Sequence, residues 1–254
     1  MNIFVLLKQT FDTEEKIIIE NGIITEDDAQ FVINPYDEYA VEEAIRQRDE
    51  HGGNVTVLSV GPERTSDALR TALAMGVDEA IHLLNDDIPE DASCIAKVLS
   101  AFLQNKDIDL ILGGYFSIDN GDGQVAIRLA HALDLPHVSS ITSLSIQEGT
   151  AQVIRDAEGD LETINVTLPA LFTAQQGLNE PRYPSLPGIM KAKRKPLKEL
   201  LIDDLHLASD DLIAKTTQQT VFLPPKKTTG VRLNGAPDDQ VKSLIAKLQE
   251  QIHL

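Results

Sequence analysis

Tryptophan is absent from this chain, and one cysteine accompanies an aromatic share of only 4%. The first absence excludes recognition by stacked indoles. The lone thiol, Cys94, can neither close an intramolecular disulfide nor build a cysteine-ligated metal or iron–sulfur centre. It sits beside Ile95, Ala96 and Val98 on a predicted helix, where inert packing is the default reading. Positive charge is scarce too: 22 Lys and Arg face 40 Asp and Glu, a formal charge of −18. Such a chain repels phosphate backbones and anionic lipid, so non-specific binding to nucleic acid or a membrane surface is disfavoured. Solubility is the plain reading of that charge. No apolar run approaches the roughly 20 residues that span a bilayer. Met1–Lys8 is too short for a signal-peptide core and shows no cleavage pattern. A cytoplasmic protein without direct membrane insertion is expected.

Catalytic constellations are missing as well. The six histidines are scattered without metal-ligand spacing, so neither a metal site nor a catalytic residue is expected. There is no G-x-S-x-G, no C-x-x-C, no kinase signature, no P-loop and no full dinucleotide fingerprint. The acid pairs Asp203-Asp204 and Asp210-Asp211 lie in a polar stretch and read as solvated linker.

What is present is rhythm. A hydrophobic fraction of 42% over 254 residues suits one substantial core with an appendage. Ile3–Leu7 is a continuous apolar run, as in a strand buried on both faces. Asn21-Gly22 between two apolar runs is a strong hairpin signal. Asn34-Pro35 then opens a helix: Asn34 is placed as N-cap, Pro35 suits N1, and Asp37 is expected to reach back to the helix start. That helix presents Ala40, Val41, Ala44 and Ile45 on one face and ends at Gly52-Gly53. Strands are predicted at Val55–Val60, Ala80–Leu84 and Ile108–Leu112, and helices at Ser66–Met75, Ile95–Leu103 and Asp122–Leu133. This alternation implies a doubly wound, mostly parallel α/β sheet. After Pro136, short β-rich runs separated by Glu148-Gly149 and Glu158-Gly159 read as an antiparallel meander at the sheet's edge. From Gly177 no alternation survives, and Pro181, Pro184, Pro187 and Pro196 punctuate the chain. A last helix, Asp238–Ile252, carries Val241, Leu244, Ile245 and Leu248 on one stripe. That stripe needs a cover, either a partner chain or the chain's own domain.

Ligands of doubly wound sheets bind at the carboxyl ends of the strands. Four segments are positioned to converge there: Leu6-Leu7-Lys8, Asn34–Asp37, Val60-Gly61 and the loop Gly113–Gln124. In that loop Gly121 and Gly123 let the backbone approach a ligand, and the following helix start offers free N–H groups to an anion. Asp119 and Asp122 suit a ribose or a helix cap. The same residues also fit a plain Asx-Gly turn. Elsewhere Arg182, Lys191, Lys193, Arg194 and Lys195 form a basic island with no carboxylate between them, a candidate partner site.

Four stretches together resemble the beta subunits of electron-transfer flavoproteins. They are Ile33-Asn34-Pro35-Tyr36-Asp37 with the helix that follows, Arg70-Thr71-Ala72-Leu73-Ala74-Met75-Gly76, the Ser117–Gln124 loop, and Leu178-Asn179-Glu180-Pro181-Arg182-Tyr183-Pro184-Ser185-Leu186-Pro187-Gly188-Ile189-Met190-Lys191-Ala192-Lys193. The last is similar to the family signature nearly residue for residue, and the likeness runs from Met1 to Pro196. It implies a Rossmann-like, adenine-nucleotide-binding fold over residues 1–180. Residues 181–196 would form a recognition loop and basic segment, and 197–254 an extended C-terminal arm packing on an alpha subunit.

The resemblance implies an obligate heterodimer in which the alpha subunit holds most of a shared FAD. AMP would bind in this subunit through Leu6, Asn34, Pro35, Tyr36, Asp37, Val60, Phe116, Ser117, Ile118, Asp119, Asn120, Gly121, Asp122, Gly123 and Gln124. Arg182, Tyr183, Pro184, Ser185, Leu186, Pro187, Gly188, Ile189, Met190, Lys191, Lys193, Arg194 and Lys195 would dock on an acyl-CoA dehydrogenase or similar flavoprotein, with Leu186 as apolar anchor. Electrons would pass on to a quinone reductase, as in fatty acid beta-oxidation, the chain being a carrier rather than an enzyme. The loop carries Gly121 and Gly123 in place of the acids of the mitochondrial type, and Gln124-Val125 resembles the loop end of electron-bifurcating relatives, which oxidise NADH and hold a second FAD where others hold AMP. That is the alternative within the family. A stand-alone adenine-nucleotide-binding regulatory protein is the alternative outside it.

Overall fold

The computed structural model describes residues 1–26, 29–85, 89–227 and 229–252. Its elements in chain order are β1 (Asn2–Leu6), β2 (Gln9–Phe11), β3 (Ile19–Glu20), β4 (Ile23–Ile24), β5 (Phe31–Ile33), α1 (Pro35–His51), β6 (Asn54–Gly61) and α2 (Thr65–Met75). There follow β7 (Glu79–Leu84), α3 (Ala92–Leu103), β8 (Leu110–Gly114), α4 (Val125–Ala132), β9 (His137–Gln147), β10 (Thr150–Ala157) and β11 (Asp160–Thr167). The chain then forms β12 (Ala170–Ala174), α5 (Leu186–Ala192), β13 (Leu197–Leu201) and α6 (Pro237–Ile252).

Nine strands make the main sheet in the order β11-β10-β9-β12-β8-β1-β6-β7-β13. From β9 to β13 every neighbouring pair is parallel. The meander β9-β10-β11 is antiparallel and forms one edge, as the short β-rich runs imply. The parallel strands read as continuous apolar runs because both faces are covered. Ile3, Val5, Val55, Val57 and Leu112 pack with Ala40, Val41, Ala44, Ile45 and Leu69 in one cluster. Phe4, Leu6, Leu58, Ile81 and Ile111 pack with Val98, Leu99, Leu103 and Leu129 in the other. Alternate residues of β1 thus serve opposite layers, as the period of two demands. The Asn21-Gly22 turn holds φ of 54° and 78°, the left-handed pair that a two-residue hairpin requires.

Several expectations need correction. The helix predicted over Asp122–Leu133 begins only at Val125, so Asp122, Gly123 and Gln124 belong to the preceding loop. Regular structure also resumes after Gly177. Leu186–Ala192 is helical despite its prolines, because Pro187 falls in the first turn where its missing N–H costs nothing. Leu197–Leu201 pairs in parallel with β7 and adds the ninth strand, so the sheet takes residues from beyond the recognition segment. Strand β12 escaped notice as a central element, because Ala170–Ala174 is short and follows directly on the meander.

The C-terminal arm has two parts. Its first part is tied to α3: Lys97 Nζ lies 2.8 Å from Asp211, and Asp91 bridges two segments. Asp91 caps α3 by accepting from Ser93 N and Cys94 N, and it also accepts from the Thr216 amide and hydroxyl at 2.9 and 2.7 Å. Burial would raise its pKa, but the Thr216 and Cys94 hydrogen bonds outweigh that and hold it at about 2. The second part is bare. Val241, Leu244, Ile245 and Leu248 of α6 are 44 to 55% exposed, so the chain's own domain does not cover the stripe.

Candidate functional site

A cavity of about 400 Å³ opens at the carboxyl ends of β1, β6 and β8, within the size range of small-ligand sites. Two side chains from the start of α1 build its floor. Asn34 is 1% exposed and holds the N-cap position, yet its side chain makes no cap bond. Instead Nδ2 donates to Phe116 O at 2.9 Å, and Oδ1 accepts from Ile118 N at 3.2 Å. Asp37, expected to reach back to its own helix, reaches across to two strands. Its Oδ2 accepts from Lys8 N at 2.7 Å and its Oδ1 from Gly114 N at 2.9 Å. Residues 34 and 37 therefore fasten the end of β1 to the loop after β8. Burial pushes the Asp37 carboxyl up to about 7, against the downward pull of Lys8, Asn34 and Gly114.

Glycine is required beside this carboxyl. A Cβ on Gly114 would lie 2.2 Å from Asp37 Oδ1, and one on Gly113 would press on Leu6. The loop after β8 is closed by its own polar groups. Ser117 Oγ bonds Asn120 Oδ1 at 2.8 Å, Asp122 accepts from Gln124 N, and Gly121 and Gly123 take positive φ. Lys8 Nζ clasps the loop through Asp119 at 2.6 Å. Burial alone would raise the Asp119 pKa, but the Lys8 ammonium beside it brings it below the usual range.

Of the residues singled out in the sequence, Leu6, Asn34, Asp37, Val60 and Phe116 line the cavity, as do Ser117, Asn120, Asp122, Gly123 and Gln124. The other five stand behind it. Pro35 starts α1, Tyr36 packs against Phe116, and Ile118 is held through its amide by Asn34. Gly121 shapes the turn, and Asp119 faces a neighbouring cavity of about 80 Å³. Sequence reasoning did not assign the side of the cavity formed by Arg64, Asn85, Glu90, Ile95 and Leu99. Arg64 comes two residues after the Gly61-Pro62 pair that ends β6, which was the available signal. Its guanidinium pairs with Glu26 at 2.9 Å and lies 4.0 Å over the Phe31 ring. No group of three or more His, Cys, Asp or Glu is placed to hold a metal among the described residues.

The proline-punctuated segment is anchored at both ends. At the near end Leu178 is buried, and Asn179 Nδ2 donates to Tyr39 O and Glu43 Oε2, both at 3.0 Å. Arg182 pairs with the buried Glu42 at 2.7 Å. At the far end Arg70 donates to the carbonyls of Ala192 and Lys195. Lys195 Nζ donates to those of Leu73 and Val77, and burial lowers its pKa. Between these anchors Ser185 caps α5 through Gly188 N. Gly188 approaches α2 so closely that a Cβ would lie 2.4 Å from Ala74 O. The Arg70–Gly76 and Leu178–Lys193 stretches are thus one packed unit.

Between the anchors the surface is apolar: Tyr183 is 94%, Leu186 77% and Met190 70% exposed. Leu186 does not pack into its own subunit. The basic island is smaller than its sequence suggested, since Arg182 and Lys195 are spent on internal bonds while Lys191, Lys193 and Arg194 face outward.

Comparison with known proteins agrees with these features. The sequence model of the family described as "Electron transfer flavoprotein domain" matches residues 21–205. The electron transfer flavoprotein subunit beta of Bacillus subtilis (strain 168) is 54% identical over 253 residues, covering 99% of this chain and 98% of that protein. The subunit beta of Syntrophomonas wolfei is 38% identical, with 94% and 92% covered, and that of Homo sapiens 34%, with 98% and 97% covered. With the signature segment, the doubly wound sheet and full-length identity in agreement, the chain belongs to the electron transfer flavoprotein family, as a beta subunit.

Proposed function

We propose that this chain pairs with a flavin-bearing alpha subunit, carries electrons from a dehydrogenase to an acceptor such as a quinone reductase, and holds AMP in the cavity at the strand ends. The observation that carries the nucleotide reading is the cavity itself. Gly113, Gly114 and Gly123 line it at positions where a Cβ would press on Leu6, Asp37 and Tyr115, and Val125 and Ala126 bring the start of α4 to its wall, a helix terminus that suits a phosphate-bearing ligand. Shared FAD supplies the redox chemistry, so this chain needs no acid–base residues of its own. Its residues position and dock. Acyl-CoA dehydrogenases or related flavoproteins are the proposed electron donors.

The exposed segment Tyr183–Met190 suits docking on such a dehydrogenase. It offers Leu186 as an apolar anchor between two internally braced ends, and Lys191, Lys193 and Arg194 just beyond it face outward to steer an acidic partner. Residues 1–180 with β13 would then act as the nucleotide-binding body, 181–196 as the docking element, and the arm beyond Thr216 as the part that covers the alpha subunit. No helix among the described residues is long and apolar enough to cross a membrane, which accords with a cytoplasmic carrier.

A second reading is electron bifurcation with NADH as donor and a second FAD in place of AMP. The adjoining 80 Å³ cavity favours it, since it shares Lys8, Glu26 and Arg64 with the first and gives a longer ligand room to extend. Counting the cofactors extracted from the co-expressed heterodimer separates the two. One FAD and one AMP per dimer is the expected result, whereas two FAD and no AMP would replace the simple carrier with the bifurcating form. A colourless monomer that never acquires flavin would overturn both and point to a stand-alone nucleotide-binding regulatory protein.

A further inference from the structure

We propose that Phe116 is a stacking platform for the base of the cavity's ligand, so that the site selects a planar aromatic heterocycle and not a phosphate alone. This rests on the nucleotide reading of the cavity and deepens it. The chain holds only four tyrosines and seven phenylalanines, yet Tyr115 and Phe116 line the cavity and Tyr36 stands directly behind them. The Phe116 ring lies 4.5 Å from that of Tyr36, tilted by 40°, and 4.7 Å from that of Tyr115, edge-on at 87°. Tyr36 and Tyr115 meet each other edge-on at 5.9 Å. Phe116 is thus braced by two rings and still lines the cavity.

The backbone that carries the ring is fixed on every side. Asn34 bonds Phe116 O and Ile118 N, and Tyr115 N donates to Ala174 O at 3.0 Å. Gly123, with φ +60°, closes the loop so tightly that a Cβ there would stand 3.0 Å from Tyr115 O and 3.6 Å from the Phe116 Cβ. A ring held this way loses little freedom when a ligand arrives. A phenyl ring offers no hydrogen bond. It offers an apolar π-system, which a flat base uses and a sugar phosphate does not.

A cation–π role within the chain is already excluded by the partners of the two cations that line the cavity. Lys8 is committed to Asp119, while Arg64 pairs with Glu26 and lies over Phe31 instead. Leu6, Val60, Ile95 and Leu99 line the same cavity and supply aliphatic surface for the rest of the base.

The test compares AMP with ribose 5-phosphate, which lacks the base, on the nucleotide-stripped full-length heterodimer. Phe116→Leu keeps apolar bulk and removes stacking. AMP affinity is expected to fall about tenfold, ~1.4 kcal/mol, with ribose 5-phosphate unchanged. Phe116→Trp is expected to restore AMP affinity. Because the chain has no tryptophan, that variant's added indole emission, read against the wild-type heterodimer, should be quenched by AMP and not by ribose 5-phosphate. Equal loss of both ligands in Phe116→Leu, no loss of either, or an indole indifferent to AMP would overturn the platform. Failure of the wild-type complex to bind AMP at all would instead overturn the nucleotide reading.

Discussion

The cavity and the docking segment are both hung on α1, and they use its carboxylates in opposite ways. At the helix start Asp37 turns inward, accepts two backbone amides and stays buried with no ion pair of its own among the described residues. Two turns later Glu42 and Glu43 hold Arg182 and Asn179, and thereby the near end of a segment whose centre is exposed and apolar. The cavity is thus a place where polar groups are satisfied from within and space is left over. The docking segment is a place where the ends are satisfied and the middle is not. Stability should therefore be concentrated at the first region and partner affinity at the second.

The sharpest way to break that contrast is Gly114→Ala. The added Cβ collides with Asp37 Oδ1 and with the backbone at Asp37. A loss of about 3 kcal/mol, typical of severe overpacking, is expected in chemical denaturation, together with loss of nucleotide binding. A stability change under 1 kcal/mol would show that the floor is soft.

Next is Asp37→Asn, because an amide can accept at only one oxygen and turns a donor toward one of the two N–H groups. A cost of about 2 kcal/mol is expected near pH 4. The pH profile tests the cause. With a folded pKa of about 7 against an ordinary 3.8, the carboxyl's contribution is fully present below pH 3.8 and is lost as pH rises through 7. The variant should lack that decline, so the gap between the two proteins should narrow from pH 4 to pH 8.

Asp91 has the opposite sign. Its pKa of about 2 gives stability above pH 3.8 that is lost as pH falls through 2. Thr216→Val removes the hydroxyl donor and should cost about 1 kcal/mol. The effect should appear as faster amide exchange in residues 209–216 and should fade below pH 3.

Leu186→Ala is the smallest in stability, under ~0.5 kcal/mol, since the side chain is 77% exposed. Its effect should appear in the rate of reduction by a partner dehydrogenase, with the cofactor content of the heterodimer unchanged. A stability loss as large as that of Asp37→Asn would show that the segment is structural and not a docking surface.

The legible parts of the molecule are those whose cause is local. The apolar run of β1, the Asn21-Gly22 turn, and the Ala40, Val41, Ala44, Ile45 stripe each declare their structure within a few residues, because strand and helix periodicity act over that range. Asn34 shows the boundary of such reasoning. Its type and position mark a helix cap, yet a longer-range pair of hydrogen bonds to Phe116 and Ile118 outcompetes the local one. Leu197–Leu201 carries no alternation to announce it and becomes a strand only because β7 presents an open parallel edge.

Residue order alone therefore settled the layered α/β architecture, the edge meander and the family, since periodicity and a long contiguous signature do not depend on how the chain closes. Closure decided the rest. Asp37 meets Lys8 across 29 positions, Asn34 meets Ile118 across 84 and Thr216 meets Asp91 across 125. Those pairings make the floor of the cavity and separate the tied part of the arm from its bare helix, while Arg182 with Glu42 and Lys195 with Leu73 and Val77 divide the basic residues into inward and outward sets. No local pattern encodes them, because each is stable only when the sheet brings its partners together and excludes water from both.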